Sequence, residues 1–268
     1  MEDTSKRADP RASKTTTDLV QISVNDGVME IVWNRPAKKN ALSNAMYRAA
    51  TAALTRAEGD SAIRAVLLAS VGDSFSAGND LADFAAAAAG GEAPAGTGFI
   101  HAIARFPKPL VAAVPGLAVG IGTTMLLHCD LVYVASDARL TTPFINLALV
   151  PEAASSLLMP ALLGHQRAFA MFALGEPLIG TEAARLGLAN AALPAAEVVP
   201  AARDAARRLA QRPAGAVMAA KQLMRQRDAI LDQMRAEGAI FAERLRSPEA
   251  MEAFTAFREK RAADFSKF

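Results

Sequence analysis

Two glycine-bearing segments of this chain have the composition to do chemistry with backbone rather than side chains. They are Phe75-Ser-Ala-Gly-Asn-Asp-Leu-Ala-Asp-Phe84 and Val114-Pro-Gly-Leu-Ala-Val-Gly-Ile-Gly-Thr-Thr-Met-Leu-Leu-His-Cys-Asp130. Each follows an apolar run of strand type, Ala65-Val-Leu-Leu-Ala69 and Leu110-Val-Ala-Ala-Val114, and each leads into a stretch that can be helical. Amides at a helix start lack partners inside the helix and carry partial positive charge. Glycines allow uncommon dihedrals and close approach. Two such turns brought together make an anion site from main chain alone, and the anion that suits it is the oxyanion of a reacting carbonyl.

In this order, Ser76-Ala-Gly-Asn-Asp80 and Gly116-Leu-Ala-Val-Gly-Ile-Gly122 resemble the crotonase (enoyl-CoA hydratase/isomerase) superfamily, over roughly residues 18 to 265. The opening Asn34-Arg-Pro-Ala-Lys-Lys-Asn-Ala-Leu42 resembles that family's first CoA-contacting turn. The resemblance implies that the amides of Asn79 and Ile121 form an oxyanion hole, flanked by Ala77, Gly78, Gly120 and Gly122, which polarises a thioester carbonyl and stabilises its enolate. One such donor is worth about a hundred- to a thousand-fold in rate. It also implies CoA contacts from Ala37, Lys38 and Ala41, with Lys39 beside them and Lys221 able to reach the phosphates; Leu81, Phe84, Phe144 and the glycine-rich loop can line acyl pockets of many sizes, so acyl length is not readable. Any of these lysines can equally be a solvated surface group. Coenzyme A enters as part of the substrate, and no separate cofactor is expected.

A hydratase of this family adds water and a proton across one double bond and uses two carboxylates. At the two corresponding positions, just after Gly120-Ile-Gly122 and just after Thr142-Pro143, this chain has Thr124 and Phe144. The next acid in the segment is Glu152, in Leu149-Val-Pro-Glu-Ala-Ala-Ser-Ser156. Read from residues alone, Glu152 is an acid in the first turn of a helix opened by Pro151, where the helix dipole favours it whatever the function. The stretch Thr142 to Ser156 resembles the Δ3,Δ2-enoyl-CoA isomerases, whose single catalytic glutamate falls at this position, so the resemblance makes Glu152 a proton shuttle. The implied reaction shifts a 3-enoyl-CoA to the 2-enoyl-CoA. The alternatives are another crotonase reaction, including hydration, and an acyl-CoA-binding scaffold without catalysis. Asp80 either caps the helix after its turn or orients the oxyanion loop, and Asp130 anchors a strand.

Other chemistries lack their parts. The second glycine segment has neither the lysine of a phosphate-binding Walker turn nor Gly-x-Gly-x-x-Gly spacing. Ser76 has no base beside it and Gly-x-Ser-x-Gly is absent. His101, His128 and His165 are isolated, and no spacing matches a metal site. The lone Cys129 reads as a small buried hydrophobe in a reducing compartment. A net charge of +2 on 268 residues is too diffuse for a nucleic-acid face. No run approaches membrane-spanning length and the N-terminus lacks a secretory pattern, so a soluble cytoplasmic protein is expected.

The elements must hold two turns and one acid together. Residues 1–17 read as a disordered tail. A hairpin of Leu19–Val24 and Val28–Trp33 turns at Asn25-Asp-Gly27, and Ser43 caps a helix running to about Ala57. Strand and helix then alternate: strand 64–70, helices 80–88 and 97–106, strand 110–114, helix 120–128, strand 130–135. Ala85 to Gly98 is a lid or merely slack. Residues 196–268 form a helical region, with stretches at 196–211, 214–246 and 249–262, after a core domain over 18–195. The fold class is α/β. The resemblance implies a crotonase-type spiral of ββα units, with the C-terminal helices building a homotrimer or hexamer.

Overall fold

The computed structural model describes residues 14–17, 19–80, 82–83 and 94–268. The first strand, β1 (Lys14–Thr17), corrects the tail boundary, because it pairs antiparallel with β2 (Val20–Asn25), Thr17 opposite Val20. The expected hairpin is present: β2 and β3 (Val28–Trp33) pair from Asn25 and Val28 onward, and Asp26 and Gly27 take φ of 53° and 76°. That left-handed pair matches the twist of the strands.

From here the chain repeats one unit, a strand in a large sheet, a short strand in a second sheet, then helix. The strand pairs are β4 (Ala65–Ser70) with β5 (Ser74–Ser76), β6 (Leu110–Val114) with β7 (Leu117–Val119), and β8 (Leu131–Ala135) with β9 (Arg139–Thr141). The large sheet runs β1-β2-β3-β4-β6-β8-β11 and the small one β10-β9-β7-β5, with β10 at Leu178–Ile179 and β11 at Ala191–Leu193. The pairs β3·β4, β4·β6, β6·β8, β8·β11, β5·β7 and β7·β9 are all parallel. Covered on both faces, β4 and β6 need apolar side chains throughout, and every residue of β6 is buried. This is the expected spiral.

The helices are α1 (Asn44–Gly59), α2 (Gly96–Arg105), α3 (Ile121–Thr124), α4 (Ser155–Leu163), α5 (His165–Phe169), α6 (Gly180–Arg185), α7 (Ala195–Ala210), α8 (Ala214–Met224), α9 (Arg227–Arg244) and α10 (Pro248–Glu259). Ser43 caps α1 as expected, accepting from the Met46 amide. The stretch expected as one helix over 120–128 is α3 followed by a tighter 3-10 turn, Met125–His128. The stretch expected over 214–246 is two helices. Arg225 turns extended between them, and its guanidinium donates to the carbonyls of Leu127 and His128 at 3.2 Å each, an anchor that wins over helical continuity. Of the expected helix over 80–88, Asp80, Ala82 and Asp83 lie inside the described residues, the last two helical and Asp80 not. No described helix is long and apolar enough to cross a membrane.

The boundary expected near residue 196 separates nothing in packing. α7 lies across β4, β6 and β8, and Arg203 makes a two-pronged ion pair to Glu30 on β3 at 2.6 and 2.9 Å. α9 packs on α2 and α4, so the C-terminal region is built into the core. One buried bolt holds α1 in place: the Lys108 ammonium donates to the carbonyls of Ala57, Asp60 and Ile63 at 2.5, 2.7 and 2.9 Å. Lys108→Met takes the ammonium from three carbonyls, of which that of Asp60 keeps the Ile63 amide, and a loss of roughly 2–4 kcal/mol is expected in urea unfolding; an unchanged midpoint would remove this role.

Candidate active site

The two glycine turns meet because their strands do. β5 and β7 run parallel with Ser76 beside Ala118, and three residues beyond each stand Asn79 and Ile121. Both therefore sit at the carboxyl ends of neighbouring strands, whose ordinary separation is about 4.8 Å. Glycine permits the contact. A Cβ on Gly78, whose φ is 87°, would lie 2.9 Å from the Val119 carbonyl oxygen, and one on Gly122 would lie 2.9 Å from that of Ser76.

Orientation follows from the hydrogen bonds around Asn79. The Leu42 amide donates to the Gly78 carbonyl and the Asp80 amide to the Leu42 carbonyl, so the intervening Asn79 N–H points to the other side. Ile121 is the first residue of α3, where amides have no helical acceptor. Among the described residues, neither N–H has a partner.

The surrounding side chains fix the turn. Ser76 Oγ donates to the Asn40 carbonyl at 3.0 Å and accepts from the Gly78 amide at 3.1 Å, a structural task that leaves it no nucleophilic one. Asn40, fully buried and left-handed at φ 54°, donates to the carbonyls of Val71 and Ser74 and accepts from the Arg35 amide. With the Ala77 amide donating to the Lys39 carbonyl, this sets the turn bearing Ala37, Lys38 and Ala41 beside Ala77 to Asp80, with Ala37, Lys38 and Lys39 exposed on the rim. Asp80 pairs with Arg35 at 2.5 Å and accepts from the Ala82 amide, so it ties the two turns together. Burial works against its charge, but the Arg35 hydrogen bond and the Ala82 amide outweigh it and hold the carboxyl below the usual range. The Tyr47 hydroxyl donates to Asn79 Oδ1 at 2.5 Å. Burial, then the charges of Glu152 and Asp83, push Tyr47 well above its ordinary value, so it stays a neutral donor.

Glu152 does not open a helix. α4 begins at Ser155, after Ala153 and Ala154 at φ 62° and 56°, so the expected dipole role in a first turn is not available to it. Its Oε1 accepts from Thr124 Oγ1 at 2.5 Å. It lines, with Asn79, a largely apolar cavity of about 390 Å³ walled by α2 and α9, among them Ile100, Met234, Phe241 and Leu245. Burial raises its pKa most; the Thr124 hydrogen bond opposes that rise and the Glu237 charge adds to it, giving a value of about 7. A carboxyl poised there serves as base and acid in turn at neutral pH.

Not every expected residue joins this site. Phe144 is buried against Phe172, ring centroids 6.2 Å apart, and is not among the residues lining the cavity. Lys221 donates to Asp130 Oδ2 at 2.7 Å and to the Lys108 carbonyl at 2.8 Å, which commits its ammonium to the protein. Asp130 also accepts from the Leu110 amide and so does anchor β6. Leu81, Phe84 and most of the segment after them lie outside the described residues. Burial, then the Asp130 charge, pushes the Cys129 thiol up to about 12. Among the described residues no group of His, Cys, Asp and Glu is placed to hold a metal. Sequence reasoning missed Tyr47 and Glu237, for which position along the chain offers no signal. It found the Thr124 position but read it only as a lost carboxylate.

A model of the enoyl-CoA hydratase/isomerase family matches residues 23–267. The rat protein "Enoyl-CoA delta isomerase 2" is 35% identical over 227 residues, which cover 82% of this chain and 57% of the rat protein. The chain thus spans little more than half the length of that relative. A solved structure of an enoyl-CoA hydratase/isomerase from Pseudoalteromonas atlantica T6c superposes with a TM-score of 0.87 at 40% identity, covering 92% of this chain and all of the other. Pseudomonas aeruginosa OdaA superposes with a TM-score of 0.85 at 46% identity, covering 90% and 99% of the two chains.

Proposed function

Because the chain belongs to the enoyl-CoA hydratase/isomerase family, we propose that it is an acyl-CoA isomerase that converts a 3-enoyl-CoA to the conjugated 2-enoyl-CoA. The observation that carries this reading is one cavity lined by both Glu152, a carboxylate of raised pKa, and Asn79, whose unpartnered amide stands on the turn next to that of Ile121. The thioester oxygen accepts from the amides of Asn79 and Ile121. Glu152 takes a proton from C2, the electron pair delocalises into a dienolate held by the two amides, and the same carboxylic acid returns the proton to C4. The double bond moves from C3–C4 to C2–C3, and no water is consumed.

Hydration needs a second free acid or base. The other carboxylate lining the cavity among the described residues is Glu237, and its oxygens accept from the amides of Ala154 and Ser156 and from Ser156 Oγ. The exposed rim at Ala37, Lys38 and Lys39 offers the approach for the CoA moiety, and exposed Leu223, Met224, Phe169 and Leu174 offer surface for the proposed homotrimer or hexamer.

Purified protein given 3-enoyl-CoA and 2-enoyl-CoA in separate assays should conjugate the first and hydrate the second at least about 100-fold more slowly. Comparable hydration would favour a hydratase, and tight binding without turnover of either would favour a scaffold. The pH profile carries a sign. Glu152 must be ionised to accept the C2 proton, so kcat/KM for isomerisation should fall as pH drops through about 7. Thr124→Val removes the hydrogen bond that favours the carboxylate and should move that acidic limb to higher pH; a limb that stays or moves lower would contradict the assignment.

A further inference from the structure

Ala153 and Ala154, the two residues after Glu152, are both left-handed, a conformation that strains any residue bearing a Cβ. Such a turn persists where its surroundings over-determine it. One side is held by His128, whose Nε2–H donates to the Ala153 carbonyl at 2.8 Å. The other is held by Glu237 of α9, more than 80 residues along the chain. Glu237 Oε2 accepts from the Ala154 amide at 2.6 Å, and Oε1 accepts from the Ser156 amide at 2.9 Å and from Ser156 Oγ. Gln233, one turn earlier on α9, donates to Ser156 Oγ at 2.8 Å. Since Ala154 has no side chain able to cap α4, Glu237 supplies the missing acceptor at the helix start from outside.

We propose that Glu237 is a positioning residue for the base: from the C-terminal helical region it fixes the left-handed turn that presents Glu152 to the cavity. The inference rests on Glu152 being that base. Glu237 is only 5% exposed and both of its oxygens are engaged by the turn, which commits it to holding Ala154 and Ser156. Its charge acts as well as its hydrogen bonds. Among the described residues, the ionisable groups facing Glu152 or its cavity are Tyr47 from α1, with Asp83 beside it, His101 from α2, His128 from the 3-10 turn, and Arg235 and Glu237 from α9. Burial, then Arg225, holds His128 neutral with a pKa of about 3, and burial, then Arg105 and Arg235, lowers His101. Glu237 is the neighbour whose charge lifts the pKa of Glu152, after burial itself.

The test compares Glu237→Gln, Ser156→Ala and Glu152→Gln with the parent in 3-enoyl-CoA isomerisation across pH. Glu237→Gln keeps the shape but removes the charge and presents an amide donor where an acceptor is needed. Expected are a fall in kcat of about 10-fold, KM within about 2-fold, and an acidic limb displaced to lower pH by about half a unit. Ser156→Ala weakens the turn without touching the charge; kcat should fall while the limb stays. An unaltered kcat and limb in Glu237→Gln, or a loss confined to Tm, would overturn the proposal while Glu152→Gln is inactive. If Glu237→Gln does not fold, Ser156→Ala decides: a parental kcat overturns the proposal and a lowered one supports it. Isomerisation retained in Glu152→Gln would instead overturn the assignment of the base.

Discussion

Glu152→Gln is expected to lower kcat for isomerisation of a 3-enoyl-CoA by about 10³- to 10⁴-fold, with binding of the CoA ester held within a few-fold. The size follows from the site having one proton carrier. In the proposed mechanism Glu152 performs both abstraction at C2 and delivery to C4, and glutamine keeps its shape while accepting no proton. Thr124 Oγ1, at 2.5 Å, can donate to the glutamine carbonyl as it does to the carboxylate, so the substitution leaves the local packing in place. Single-turnover kinetics with equilibrium binding separates the two effects. A variant retaining more than about a tenth of parental kcat would show that another group moves the proton.

The second large effect is expected at Gly78. Its φ of 87° and the 2.9 Å approach of a built Cβ to the Val119 carbonyl oxygen mean that Gly78→Ala strains the backbone and pushes the two glycine turns apart at once. The Asn79 amide then leaves its aim, and removal of one donor from the proposed oxyanion hole is expected to cost about 10²- to 10³-fold in kcat. The loss should fall on kcat more than on KM, because the amide matters most when charge builds on the oxygen. Circular dichroism and Tm measured beside the kinetics keep the outcome readable. A folded Gly78→Ala with parental kcat would mean that this turn does not hold the oxyanion.

Much of this site was legible because glycine leaves a mark wherever two backbones must touch. Gly78 and Gly122 announced the approach, and the apolar runs before them fixed β4 and β6. The hairpin turn was equally legible, since Asp26-Gly27 suits two left-handed residues. What escaped reading obeys no local rule. β5, β7 and β9 are three residues each, too short for a period, and they exist because the sheet beside them supplies partners. Arg225 interrupts a helical stretch for carbonyls of the Leu127–His128 turn, nearly a hundred positions back. Glu237 looks like one more charged residue on an amphipathic helix until α9 is laid over α4. Thr124 is legible as a departure from two-carboxylate chemistry, and its bond to Glu152 is visible only in the fold. Glu152 itself was placed on the start of a helix by its proline, but the chain there turns left-handed at two alanines, which local propensity does not favour.

The central claim is that two main-chain amides and one carboxylate enclose the reacting thioester. A crystal structure of Glu152→Gln with a bound 3-enoyl-CoA tests it most directly. The thioester oxygen should lie about 2.7–3.1 Å from both the Asn79 and Ile121 nitrogens, with the side chain of residue 152 over C2 and C4. A thioester oxygen bound by neither amide, or an acyl chain that leaves the 152 side chain out of reach of both carbons, would contradict it.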